Sequence, residues 1–546
     1  MHWLTRALLW LSALPLPLFA LSQAQHGAFG RFSVDLAGHL WTGWSAARGP
    51  LTRSPWIGFP DGVDLMPIVG GWLDVWLVGL LSPALGLVTA YNLTCALYGV
   101  VAGLGGQLLA RSLGASALGA GVAGLLLQLD PFILHHLMGG RPEQVGLGFV
   151  ALALGAALLV WRGALRPLWA GLAGALMLFV SWELSLLCAL CLAFLTPFLP
   201  RDAPPGAWGR WGRAALVCAG VAGPWVLLFL SRASGVRAMD EGDFALETAW
   251  RASVGLLGWL SWGSVRPSAL VMLSLLFLPW TLRVEDRRLG VGALLGLVGA
   301  WALALGPSPG LWAPGPRMEL AWAPFVWLQS LPVLGWFHWP DRLLCVFSLA
   351  GVCAAARLID CAEYIKYKSF YVIQIIVAII FLTMSGAENQ RSGRWPVAEY
   401  EPLARAPSLT LGALPEEGAV LDLPIQPAAV QHLNYQIEQL GHQRPILFHM
   451  ALSHLQDPSL AARVAADPLL SWFRALMEPG ERPARRFTEA DLAGLRAQGF
   501  RFVVLHKRGW PPPRWKVARE ALTMSLGEPF LRDGTDWLCW RLEVAP

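Results

Sequence analysis

Long apolar runs separated by short polar connections fill the chain from residue 4 to residue 385, after which the runs shorten and charges become frequent. Crossing the roughly 30 Å hydrocarbon core takes about 20 apolar residues in a helix. On that criterion spans fall near residues 4–22, 85–109, 116–133, 144–161, 167–182, 184–200, 214–231, 268–283, 289–305, 340–357 and 369–385, about eleven in all. The first run has a thin basic lead, Arg6, and is interrupted by Pro15 and Pro17, so it reads as a helix rather than a cleaved signal peptide. The stretch Gly71 to Ser82, GWLDVWLVGLLS, covers about 18 Å as a helix and is too short to cross. With Asp74 between Trp72 and Trp76, it is expected to be re-entrant or interfacial.

Beyond residue 385 the pattern changes to that of a small α/β unit. Strands are expected at Ala419 to Ile425, Pro445 to Met450, Phe500 to His506 and Trp537 to Val544, with helices at Leu455 to Asp467 and Thr488 to Gln498. The predicted fold class is therefore an α-helical polytopic membrane protein, residues 1–385, carrying a small C-terminal α/β extracytoplasmic domain, residues 386–546.

Composition agrees: 55% hydrophobic and 14% charged residues, with mean hydropathy +0.50, exclude an ordinary soluble domain. Charge fixes the expected orientation. Arg111; Arg162 and Arg166; Arg201, Arg210 and Arg213; Arg283, Arg287 and Arg288; and Arg357, Lys366 and Lys368 occupy alternate short connections, as cytoplasmic loops do. The loop after the first helix and the C-terminal tail then lie on the outer face of the cytoplasmic membrane. No basic stripe points to a nucleic-acid partner. Seven of the eight cysteines lie in or beside apolar segments, where a thiol is a small core hydrophobe, and the C-x-x-C of Cys188 and Cys191 has no second pair. Gly306 to Gly310, GPSPG, matches G-x-S-x-G, but the prolines flanking Ser308 rule out the strand-to-helix elbow that motif needs.

Polar chemistry gathers in the outer loops. Phe29 to Pro67 holds Asp35, His39, Arg48, Arg53, Asp61 and Asp64 among tryptophans, and Leu129 to Gln144 holds Asp130, His135, His136, Arg141 and Glu143. A third loop, Ser231 to Pro267, carries Asp240, Glu241, Asp243 and Glu247; a fourth, rich in proline and tryptophan, ends at Arg342. Trp41, Trp44, Trp56, Trp322, Trp327, Trp336 and Trp339 read as an outer interfacial belt. Ionisable groups at membrane depth are costly, which makes these loops the place to look for function.

The early Asp35 in VDLAGHLW, the FPDGVDL that follows, the short helix, and the run AYNLTCALYGVVAGLGGQLLARSLGASALGAGVAGLLLQLDPFILHHLMGG together resemble the GT-C superfamily of polytopic glycosyltransferases. More narrowly, they resemble its bacterial branch near the YfhO-like and dolichyl-phosphate-mannose-mannosyltransferase-like membrane proteins. LPVLGWFHWPDRLLCVFSLAG resembles a late stretch of that branch, and VLDLPIQ, NYQIEQLGHQRPILFHM and GFRFVVLHK resemble its soluble tail. The resemblance implies transfer of a sugar from a polyprenyl-phosphate donor, drawn from the membrane lipid, to an extracytoplasmic glycan, lipid or protein acceptor. It places Asp35 at the general base, Asp130 or Glu143 at a second acidic site, and Arg342 at a phosphate-binding cation, with His39, His135, His136 and Arg141 as further substrate-binding candidates. No cofactor is implied with certainty; Asp35 and Asp130 are the candidate ligands for a divalent metal. The chain departs from the pattern where Asp35 is followed by Leu36 rather than a second acid, and where His338 replaces an arginine.

The chemistry behind these roles is general. A sugar hydroxyl is a poor nucleophile, so a carboxylate takes its proton while cations stabilise the departing lipid phosphate. Two readings from other classes are a transporter or flippase of lipid-linked saccharides and a non-catalytic scaffold of envelope assembly. Transporters often carry inverted repeats with broken helices. No repeat is visible, and the polar residues sit in outer loops rather than mid-span.

Overall fold

The computed structural model describes residues 13–15, 17–18, 27–30, 33–66, 69, 71–201, 203–233, 248–256, 275, 287–311, 314–315, 319–330, 339–364, 397–398, 406–425, 433–447, 458–478, 480, 483–507, 510–511, 513–533 and 537–542. The loop that carries Asp35 contains helix α1 (Val34–Ala46), capped by Ser33, whose hydroxyl accepts from the Leu36 amide at 3.1 Å. Helix α2 (Leu73–Leu85) is the short segment expected not to cross, and Gly86 at φ 80° ends it. Its start is tied down by a 2.7 Å bond from the Trp72 amide to the Phe179 carbonyl.

The apolar runs then become α3 (Leu87–Ser112), α4 (Ala117–Gln128), α5 (Pro131–Met138), α6 (Leu147–Trp161), α7 (Pro167–Val180), α8 (Trp182–Leu195), α9 (Ala207–Ala233), α10 (Arg287–Ala304) and α11 (Cys345–Tyr364). Among the described residues, six helical segments are long and apolar enough to cross a membrane, and Leu73–Leu85, Pro167–Val180 and Trp182–Phe198 are shorter apolar ones. The expected spans at 4–22, 268–283 and 369–385, and the acidic stretch Asp240 to Glu247, lie wholly or almost wholly outside the described residues. Glycine lets α3 and α6 touch backbone to backbone: a Cβ on Gly105 would lie 2.1 Å from the Gly148 carbonyl oxygen. Such close approach is how apolar helices gain packing without a hydrophobic driving force between them.

A two-stranded ribbon joins β1 (Ala28–Phe29) to β2 (Val397–Ala398), antiparallel. The C-terminal residues form a four-stranded sheet in the order β3-β4-β6-β5, from β3 (Ala419–Leu423), β4 (Phe500–His506), β5 (Leu531–Asp533) and β6 (Trp537–Arg541). β3 and β4 run parallel with Asp422 opposite Val504, and β6 runs antiparallel to both β4 and β5. The strand expected at Pro445 to Met450 is reduced to a bridge between Ile446 and Val420, and residues 448–450 lie outside the described set. The helix expected from Thr488 starts with a capping box between Thr488 and Asp491.

This sheet packs against the loop that carries α1. Helix α12 (Leu433–His442) lies on α1. Ile446 donates its amide to the Trp56 carbonyl at 3.0 Å and accepts from the Phe59 amide at 3.2 Å, while Phe59 stands edge-on to Phe500 at 5.3 Å.

Candidate active site

Four residues apart on one helix, Asp35 and His39 project from the same face of α1. The turn after α5 delivers their first partner. Gly140 adopts φ +74°, and its α-carbon lies so close to α1 that a Cβ would stand 2.5 Å from the Cβ of Leu36. The Ser33 hydroxyl also donates to the Gly139 carbonyl at 2.8 Å. With the turn seated on the start of α1, Arg141 Nε reaches Asp35 Oδ2 at 2.7 Å, and the Asp35 side chain remains 40% exposed.

His39 lies between two carboxylates. Its Nδ1 is 2.8 Å from Asp74 Oδ2 on α2, and its Nε2 is 2.8 Å from Glu143 Oε2, two residues beyond Arg141. Burial disfavours the charged ring, yet Glu143 and Asp74 outweigh it and hold the His39 imidazolium well above its ordinary pKa. A third ionic group follows at once in the chain: Gln144 Nε2 donates to Glu183 Oε2 at 2.9 Å, and the same oxygen pairs with Arg342 Nη1. The Arg342 guanidinium also lies 4.8 Å over the Trp339 ring.

His136 is buried, packed edge-on to Phe132 at 4.4 Å and His135 at 5.2 Å. Neither of its ring nitrogens has a hydrogen-bond partner, and the fields of Arg342 and Arg141 both reach it. A buried imidazole without hydrogen-bond partners, in the field of two arginines, suits an incoming anionic or hydroxyl-bearing ligand.

Asp130 requires a correction. Pro131 opens α5, which makes Asp130 its cap, with the carboxylate accepting from the Phe132 amide at 2.9 Å. It is buried there and joins neither Asp35 nor Glu143 in an ionic group. The candidate metal ligands shift accordingly. Among the described residues the one cluster of three or more potential metal ligands is His39, Asp74 and Glu143, with ligand atoms within 4.8 Å of one another, and it includes neither Asp35 nor Asp130. Asp74 Oδ1 is buried without a partner. The two 2.8 Å contacts use opposite ring nitrogens of His39, each at ordinary hydrogen-bond distance from its carboxylate, and only one of those nitrogens can serve a single ion. With one ring nitrogen and one oxygen from each carboxylate the trio offers three donor atoms to a divalent cation, and without one the imidazolium answers both carboxylates.

Asp74 and Glu183 are the site residues that the sequence reading passed over. In the sequence the first reads only as an interfacial marker, and the second lies inside an apolar run. Each is a carboxylate within an apolar helical segment, and that was the available signal.

A cavity of about 100 Å³ opens among α3, α6, α8, α10 and α11, lined by apolar side chains and glycine, including Leu109, Leu154, Leu187, Phe194 and Leu343. Leu343 follows Arg342 in the chain, and Leu187 is one turn beyond Glu183. The ionic pair is thus joined to the lining of this apolar chamber through its near neighbours in the chain.

This arrangement of helices is the fold of the GT-C membrane glycosyltransferases. The mycobacterial arabinofuranosyltransferase AftD aligns over 99% of this chain at 16% identity with TM-score 0.57, and the chain spans 42% of the length of AftD. The Archaeoglobus fulgidus oligosaccharyltransferase aligns over 93% of this chain and 69% of its own, at 13% identity and TM-score 0.53. ArnT from Cupriavidus metallidurans, in a structure bound to undecaprenyl phosphate, aligns over 99% of this chain and 98% of its own at 13% identity, with TM-score 0.49. No protein-family model and no curated protein matches the sequence. At these identities the likeness speaks for the fold, and the chemistry has to be argued from the site.

Proposed function

We propose that the chain is a membrane glycosyltransferase that moves a sugar from a polyprenyl-phosphate donor to a hydroxyl of an extracytoplasmic acceptor, with Asp35 as general base. The observation that carries this reading is the pair of Arg342 and Glu183, whose neighbours Leu343 and Leu187 line an apolar chamber, together with the accessible Asp35 carboxylate. A lipid-linked donor needs such a pair of environments, one for its hydrocarbon tail and one for its charged head.

In this reading the tail occupies the chamber and the phosphate meets Arg342 and His136. Arg342 is the stronger partner, since its guanidinium keeps donors free beyond the one on Glu183. Arg141 holds the Asp35 carboxylate in place. The acceptor oxygen forms its bond to the anomeric carbon as the bond from that carbon to the phosphate oxygen breaks, and the hydroxyl proton passes to Asp35. Arg342 stabilises the charge left on the departing lipid phosphate. His39, Asp74 and Glu143 are the residues that would hold a divalent cation, which would add positive charge beside the same phosphate. The loop of Asp35 and the C-terminal sheet are assigned to the outer face of the membrane by the distribution of basic residues.

Ser33, not Asp35, caps α1, so the aspartate is free of that structural duty. Asp35→Asn keeps its size and removes the proton acceptor. Release of lipid phosphate from a polyprenyl-phosphate sugar by the purified protein should fall by roughly 10²- to 10⁴-fold. Loss of the half-exposed pair with Arg141 costs stability only about 0–1 kcal/mol, so the variant should remain folded. A folded Asn variant that turns over at the wild-type rate removes Asp35 from catalysis.

A further inference from the structure

We infer that Gln439 is a positioning residue for the helix that carries Asp35 and His39, so that the C-terminal sheet and α12 are a working part of the site. The inference rests on the glycosyltransferase reading for its kinetic consequence and on geometry alone for its structural one. Gln439 is fully buried on α12, and its carboxamide is used at both ends. Trp41 Nε1 donates to Gln439 Oε1 at 2.7 Å, and Gln439 Nε2 donates to the carbonyls of Trp56 at 2.6 Å and Arg444 at 2.9 Å. One side chain, 398 positions beyond Trp41, thereby ties α1, the loop after it and the C-terminal chain together.

Helical geometry gives the tie its direction. Successive residues turn by about 100°, so Asp35 and His39 lie about 40° apart, whereas Trp41 lies about 200° round from His39. Helix α1 thus presents its charged face to Arg141, Asp74 and Glu143, and its tryptophan face to Gln439. Arg48 extends the second face, stacking over Trp44 at 4.5 Å and donating to Gln443 Oε1 at 3.2 Å. The helix is held between two bodies, and the hydrogen bond from Trp41 fixes its rotation and depth against the ionic cluster. A displacement of about 1 Å in a catalytic group costs as much as 10²-fold in rate, so an error in this seating reaches Asp35 directly.

Gln439→Glu and Gln439→Ala test this in the full-length protein, purified in detergent. The glutamate keeps the shape and still accepts from Trp41, but it sets an acceptor against the carbonyls of Trp56 and Arg444. Two measurements apply: turnover of a polyprenyl-phosphate hexose as a function of its concentration, and hydrogen exchange of backbone amides along the chain. The expected result is a kcat lower by roughly 10- to 100-fold with the KM for donor within about 2-fold, because the chamber and Arg342 are untouched. Exchange should accelerate in residues 36–46 and stay unchanged in residues 87–112 and 147–161. Unchanged exchange in residues 36–46 of both variants overturns the inference, and so does faster exchange throughout the chain, which would make Gln439 a support of the whole fold. Should wild type release no lipid phosphate while Asp35→Asn matches it, the glycosyltransferase reading fails, and the exchange measurement still decides the role of Gln439.

Discussion

Arg342 and Glu183 are each 11% exposed and hold one another across 159 positions of sequence, so the pair can be taken apart from either side. Arg342→Met leaves the Glu183 carboxylate buried with Gln144 as its remaining partner. Breaking a buried ion pair by removing one member costs about 3–5 kcal/mol, because the other charge stays behind without compensation. Glu183→Met should lose a comparable amount. Donor affinity separates the two. Loss of Arg342 removes a charge-assisted hydrogen bond to the phosphate, worth about 1.5–3 kcal/mol, which is a weakening of roughly 10- to 150-fold in Kd. Loss of Glu183 leaves the guanidinium in place with more of its donors open, so affinity should hold or rise. The double variant, with two apolar side chains facing each other, should recover stability to within about 1 kcal/mol of wild type while keeping the weak binding of Arg342→Met. The assay is thermal unfolding of the four proteins in detergent beside titration with polyprenyl phosphate. A double variant that binds the lipid phosphate as tightly as wild type would refute the reasoning and leave the pair with a purely structural role.

Three further outcomes are expected. Gly140→Ala, which forces a Cβ to 2.5 Å from Leu36 at φ +74°, should cost about 2–4 kcal/mol in thermal unfolding and lower turnover by parting Arg141 from Asp35. Manganese or magnesium should raise the Tm of wild type, and chelation should reverse the gain, whereas Asp74→Asn should respond to neither; an equal response in the variant would move the cation away from His39, Asp74 and Glu143. Reporter fusions placed after residue 390 should be active only when the reporter works outside the cytoplasm, and cytoplasmic activity there would reverse the orientation and take Asp35 off the outer face.

The sequence by itself determined the apolar helical character, the short helix before Gly86, and the strands that hold Asp422 and Val504, though not their pairing. These depend on the length and period of apolar runs, which are local properties. It also brought Asp35, His39, Arg141, Glu143 and Arg342 forward as candidates, because polar groups beside a bilayer stand out from their surroundings. Partnership was a different matter. Asp130 had the same sequence credentials as Glu143, and only the proline after it and the course of α5 made it a cap. Asp74 and Glu183 were hidden inside apolar segments until α1 and the 340–344 turn supplied His39 and Arg342. Gln439 lies on a polar helix with no charge or motif to mark it, and its meaning comes entirely from Trp41 and Trp56 at the far end of the chain. Ion pairs and buried amides are long-range contacts whose energy depends on distance and desolvation, and those quantities do not exist until the helices have packed.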